Sequence, residues 1–469
     1  LPVEPIPFNA SQDSGLEQLA GASPSSINSL VDETGTVRAR PGIVAWSDFP
    51  SSYNASPVTS MAAWGDRLIW ATEDRKWFAW LGPGLTVDLS DSTATTKIAG
   101  SLRPQILATR NRVIAVAGNE PQKWGGAGLS ARLGGSPPFS AALAAIATRV
   151  VLMPSDDSGT IRWSGLGDTA HETWDALNFA EAEARPDTLV NVADNTNELF
   201  AFGKETTQVF VPDPVVGFAT GRALNIGMLV RDSLVKVDDE FAFLDRERRI
   251  VQTDGRAWQD IAPGLGKTLG QISTVSDCWG FRTTMDQVDI CTWMFPTHGK
   301  GYILQRGANR WSEWRAFNSN GWAAPTITAA LNWPEKNLTL VGLSTGQIAK
   351  LDLGTYTDLG NVLKVELVTG YVDNGTKARK HCKSALFRFK RGQTAQGGTA
   401  PRVAISWRDD LGAWKGPIFR TLGIAGDYNP IVQLRSLGVY RQRQWKLEFD
   451  ANAELSFAGA EHEFEVLAN

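Results

Sequence analysis

At 469 residues the chain is too long for one ordinary hydrophobic core, so it holds several domains or one large repeat domain with a second unit. Its 45 Gly, 23 Pro and 18 Trp, with only 20% charged residues, describe many short strands joined by tight turns. The formal net charge of −4 excludes a generic polyanion-binding protein, whose affinity rests on many Lys and Arg contacts.

Residues 1–34 are rich in Pro, Ser and Gly and lack periodicity, which predicts an extended N-terminal arm. Thr36 to Arg40 then alternates, stops at Pro41-Gly42 and resumes as Ile43 to Trp46. This orphan strand, Thr36 to Arg40, is predicted to complete the last blade of a closed array, because closure removes exposed edges.

From Asp66 to Asp352 a strand pair recurs: a polar lead-in, an apolar strand, a polar turn and a second strand. The leading strands are Asp66–Trp70, Asn111–Ala115, Thr148–Leu152, Asn197–Ala201, Asp239–Phe243, Asp286–Ile290 and Lys336–Leu340, with starts 45, 37, 49, 42, 47 and 50 residues apart. Spacings of roughly 40–50 residues belong to four-stranded propeller blades. The copy at Asn111 is the weakest, so six or seven blades are expected over residues 35–354. Phe139 to Ala147 is the one candidate for a helix, two turns long.

From Leu363 the strands lengthen and alternate strictly, as in Lys364–Tyr371, Ala385–Lys390, Arg402–Trp407, Gln444–Phe449 and Glu461–Val466. One apolar and one polar face per strand predicts an antiparallel β-sandwich over residues 355–469. The fold class is therefore all-β: a six- or seven-bladed propeller followed by a C-terminal sandwich. The charge divides with it, since residues 355–469 hold 16 Lys and Arg against 12 Asp and Glu, while residues 1–354 carry a net −8.

Nothing in the sequence marks catalysis. Gly264–Thr268 resembles the end of a phosphate loop without the strand–loop–helix context and reads as a turn between blades. The four histidines are far apart and lack metal-ligand spacing, and there is no Gly-x-Ser-x-Gly elbow. No cofactor and no enzymatic activity are expected. Ser155–Gly159 before Trp163 and Asp409–Gly412 before Trp414 resemble the Asp-box turns of sialidase-type propellers, which are structural. The one docking candidate is a basic stretch in the sandwich, Lys377, Arg379, Lys380, Lys383, Arg388, Lys390 and Arg391, suited to an acidic partner. Cys278, Cys291 and Cys382 read as free thiols of a reducing compartment; with no leader and no membrane span in the sequence, assembly in a cytoplasm is expected.

Several segments together resemble the tail nozzle, or tail hub, proteins of short-tailed bacteriophages, also called packaged-DNA stabilisation proteins. They are Gly35–Gly42, Phe202–Phe210 with a Gly-rich loop to Gly227, Phe241–Leu244, Tyr302 with Trp311 and Trp314, and Arg435–Arg441 leading into Trp445–Phe449. The resemblance implies a virion tail protein forming a homo-hexameric ring below the portal and adaptor. Its neighbours would be the head-to-tail connector and a tail fibre, tailspike or needle, and double-stranded DNA would pass its lumen without specific binding. An acidic repeat region suits such a passage, since like charge keeps a duplex mobile. The competing reading is a receptor- or glycan-binding propeller, sialidase-like or fibre-associated, which exposed Trp clusters in a concave mouth would favour.

Overall fold

Each of the seven repeats is the second strand of a four-stranded antiparallel sheet. The structure, a computed structural model, describes residues 2–8, 10–13, 23–49, 56–90, 95–182, 187–286, 288–392 and 398–467. Blades 1 to 6 use four consecutive strands each and span 58–88, 100–132, 140–181, 189–224, 235–260 and 279–314. Blade 7 takes three strands from 327–352 and borrows its fourth from the N-terminal region.

Repeat strands are buried on both faces because each blade is clamped between two others. In blade 1, Leu68 and Trp70 enter the core shared with blade 7, while Ile69 and Ala71 enter the core shared with blade 2. Strand alternation thus feeds apolar side chains to both sides. Separate cores follow between blades 2 and 3, 3 and 4, 4 and 5, 5 and 6, and 6 and 7, so the ring closes with seven blades.

The N-terminal strands are β1 (Val3–Ile6), β2 (Ser25–Ile27), β3 (Ser29–Val31), β4 (Val37–Ala39) and β5 (Gly42–Ala45). They correct two expectations. The orphan strand does not close the propeller: β4 pairs with β3 and with Ser456–Val466 in the sandwich. Closure falls to β5, antiparallel to Ile348–Asp352 with Val44 opposite Lys350. Nor is the described part of residues 1–34 a free arm, since β1 pairs with Ser456–Val466 and Ile6, Phe8 and Val31 lie in the sandwich core. Residues 14–22 of that region lie outside the described residues. The Pro, Ser and Gly content hid these strands because each is only three or four residues long, too short for a visible period.

One sandwich sheet holds β3, β4, Ser456–Val466, Lys380–Phe389 and Val432–Arg435, joined by β1. The other holds β2, Val365–Val368, Arg443–Phe449, Arg402–Asp409 and Lys415–Thr421. This second sheet continues into the propeller, for β2 also pairs in parallel with the outer strand of blade 6, Arg310–Trp314, at Ile27 and Glu313. The connection 353–363 is itself tied to blade 7, as Thr357–Asp358 pairs with β5.

Two local readings fall to tertiary context. Ser140–Ile146 is the innermost strand of blade 3, not a helix; Ala is a strong helix former, but its small side chain also fits near the crowded axis. Gly264–Thr268, read as a turn, lies in a short helical segment, Pro263–Leu265 running into Gly266–Gln271, which buries Leu265 and Leu269 against blades 5 and 6.

Candidate functional site

The seven innermost strands surround an axial cavity of about 330 Å3, to which all seven blades contribute. Its charged lining consists of Arg103, Asp194, Arg231, Asp232 and Lys236. Arg231 stands on a single 3-10 turn, Arg231–Ser233, between blades 4 and 5. Its Nη1 donates to the Ala141 carbonyl of blade 3 at 2.6 Å, its Nη2 donates to the Arg103 carbonyl of blade 2, and Asp232 pairs with it at 2.8 Å. Asn191 Nδ2 of blade 4 donates to the Arg231 carbonyl at 2.9 Å. Arg103 in turn donates to the Thr328 carbonyl of blade 7 at 2.6 Å and lies 4.7 Å over the Trp279 ring of blade 6. Burial pushes the Arg103 guanidinium down to about 10, which still leaves it charged at neutral pH.

These contacts form a clasp across the hub. Four hydrogen bonds here join one blade, or the turn between two blades, to another, and the charge-assisted ones among them are the stronger kind. The cavity has the volume of a small-molecule site, roughly 300–1,000 Å3, and cannot pass a duplex. Any DNA passage must therefore lie outside the single subunit's propeller axis.

Arg40 makes a second clasp where propeller and sandwich meet. It is fully buried, its Nη1 and Nη2 reach Asp358 at 3.0 and 2.6 Å, its Nε donates to Asn28 Oδ1 at 2.9 Å, and its guanidinium lies 4.3 Å over the Trp314 ring. Further bonds run to the carbonyls of Pro41 and Arg315. Asn28, left-handed at φ 57°, breaks β2 from β3 and donates to the carbonyls of Arg315 and Lys364. The local sequence around Arg40 gives it no role, because its partners lie up to 318 residues away.

The basic stretch does not form an open cationic face. Lys380 is fully buried, with Nζ donating to the carbonyls of Thr376 and Ala378, so it is no docking residue. Lys383, Arg388 and Lys390 pair with Glu465, Glu461 and Glu454 at 2.7, 2.7 and 2.8 Å. Arg391 donates to the Pro430 carbonyl, while Lys377 and Arg379 are exposed. The carboxylates all belong to the C-terminal strand or the turn before it, so the pairing is cross-strand and only long-range register reveals it.

A buried polar group sits beneath that strand. His462 is fully buried, its Nε2 is 2.8 Å from Asn374 Nδ2, and Asn374 links onward to Glu4 Oε2 and Tyr440 Oη. Burial first, then Arg443 and Lys380, push His462 from 6.5 down to about 4. Between those values an unfolded chain takes up a proton that the folded chain refuses, so stability is lost as pH falls through 6.5 towards 4. The full loss is about 3 kcal/mol. Denaturant titrations across that range should show a steeper slope in the wild type than in His462→Gln; equal slopes would disprove the assignment.

Among the described residues no cluster of three His, Cys, Asp or Glu side chains could hold a metal. The three cysteines are buried thiols, and burial pushes Cys291 up to about 12 and Cys382 up to about 11. They are therefore poor nucleophiles. Of the two Asp-box-like turns, the first behaves as expected, with Asp156 accepting from Ser158 N and Trp163 buried against Phe218. The second differs: Trp414 is 39% exposed.

Residues 86–253, from the outer strand of blade 1 to the third strand of blade 5, match the family model of phage stabilisation proteins described as bacteriophage P22 Gp10, β-propeller. Over that stretch the chain is similar to the phage stabilisation family. The matched residues hold blades 2, 3 and 4 whole and parts of blades 1 and 5. No curated protein matches the chain in sequence. Similar solved structures include the computationally designed Ika8 protein at 12% identity, with TM-score 0.40, 66% of this chain covered and 99% of that one. The Neurospora crassa Pan2 WD40 domain stands at 10% identity, TM-score 0.41 and coverages of 69% and 97%. U3-55K stands at 8% identity, TM-score 0.44 and coverages of 66% and 99%.

Proposed function

We propose that this chain is a structural, non-enzymatic subunit of a phage tail nozzle, forming a ring of six copies around the DNA exit channel below the portal and adaptor. In that place it would retain packaged DNA and conduct it during ejection, with fibre, tailspike or needle proteins as neighbours, after assembly in the host cytoplasm. The observation that carries the reading is the family match across the middle of the propeller. The hub and interdomain clasps support it, because a part that bears internal DNA pressure needs rigidly joined domains. No helix among the described residues is long and apolar enough to cross a membrane.

The glycan-binding reading draws no support from the side chains. Trp258 and Trp414 are the Trp residues among the exposed large hydrophobics, they stand on different domains, and Trp279 in the axial cavity is buried. The test is a phage unable to make this chain: its particles should package DNA and then lose it. Particles that keep and deliver their genome would overturn the proposal.

A further inference from the structure

Among the exposed apolar side chains of the described surface, two groups stand at opposite ends of the fold. The first is the rim of blades 3 and 4. There Leu177 and Phe179 lie on the outer strand Trp174–Glu181, and Val211, Val215 and Val216 lie at the neighbouring hairpin; Leu177 is 81% and Val215 88% exposed. The outer strand and the hairpin 211–217 carry Asp175, Glu181 and Asp213 and no Lys or Arg; Arg162 stands on the paired strand, opposite Phe179.

The second is the far edge of the sandwich. The strand Lys415–Thr421 pairs, among the described residues, only with Arg402–Asp409, and it ends the sheet that continues from the outer strand of blade 6. Phe419 is 47% and Leu411 61% exposed there, beside Trp414. Every ring here is overlaid by a cation: Arg402 is 4.5 Å over Phe419, and Arg408 and Lys446 are 5.1 and 5.5 Å over Trp414. Pro417 removes a donor from this edge, which disfavours strand addition and leaves contact to the side chains.

Position and charge agree. The sandwich grows outward from the outer strands of blades 6 and 7, through β2 and through Thr357–Asp358. In a ring of seven, blade 3 stands across the axis from the junction of blades 6 and 7. One end is therefore apolar with Asp175, Glu181 and Asp213 about it, and the opposite end is apolar with Arg402 and Arg408 over its rings, while Lys446 and Lys415 there are paired with Glu448 and Asp409. A surface that complements a different surface on the same molecule makes a heterologous contact, which closes into a ring or runs into a filament.

We propose that these two surfaces bind each other head to tail between copies of this chain, Trp414 and Phe419 packing against Leu177, Phe179 and Val215. The inference rests on the reading of the chain as a ring subunit. It adds the contact: which surfaces meet, and that they are unlike.

The test uses the 469-residue chain and two double variants, Leu177→Lys with Val215→Lys at one end and Trp414→Ser with Phe419→Ser at the other. All four positions are exposed, and circular dichroism checks that the variants fold. By mass measurement the wild type should assemble, and each variant alone should need a concentration raised roughly 30-fold or more, as loss of anchoring side chains predicts. Mixed one to one, the variants should form a heterodimer and stop there, since each supplies the end that the other lacks. If the folded variants assemble like the wild type, or their mixture forms no heterodimer, these surfaces are not the contact and the ring reading survives. A wild type that remains monomeric would overturn both.

Discussion

Deletion of residues 1–46 is expected to abolish cooperative folding of both domains, not merely to open one blade. The segment supplies β1, β3 and β4 to one sandwich sheet, β2 to the seam between sandwich and blade 6, and β5 to blade 7. Ile6, Phe8, Val31 and Val37 leave the sandwich core with it, and Ile43 and Trp46 leave the cores of blades 6, 7 and 1. At about 1.5–3 kcal/mol for each large apolar side chain buried, these six alone match the 5–15 kcal/mol of net stability typical of a domain. The unpaired edges of Ile348–Asp352 and Ser456–Val466 would then promote aggregation. The measurements are soluble yield and thermal unfolding followed by circular dichroism. A soluble deletion variant with a single sharp transition would show that the N-terminal strands are dispensable.

Arg40→Met is expected to cost about 3–5 kcal/mol, the usual loss when one partner of a buried ion pair is removed. Asp358, 12% exposed, would lose its cation, and Asn28 Oδ1 together with the Pro41 and Arg315 carbonyls would each lose a donor. Arg40→Lys should restore little, because one ammonium cannot span the five acceptors that the guanidinium fork meets. Denaturant unfolding gives the loss, and limited proteolysis locates it: cleavage should appear in 353–363, where Thr357–Asp358 is held against β5. A variant as stable and as resistant as the wild type would show that the clasp is incidental. Loss of stability without new cleavage would place its effect in the propeller instead.

The sequence by itself determined the local chemistry of this protein. The recurring alternation around Leu68, Val113, Val150, Leu199, Phe241, Val288 and Leu338 marks the second strand of every blade, since strand period and turn composition are local properties. The longer strict alternation after Leu363 marks the sandwich for the same reason. What pairs with what was decided only by the tertiary structure. Blade 2 looked doubtful because its third strand is just Gln122–Trp124, yet packing between blades 1 and 3 completes it. Two strands three residues apart, Val37–Ala39 and Gly42–Ala45, part to different domains around Arg40, although their local patterns are alike. The basic stretch at Lys383, Arg388 and Lys390 looked free until the register of Ser456–Val466 brought glutamates beside it. Pairing partners, burial and charge neutralisation depend on residues tens to hundreds of positions apart, which no local period encodes.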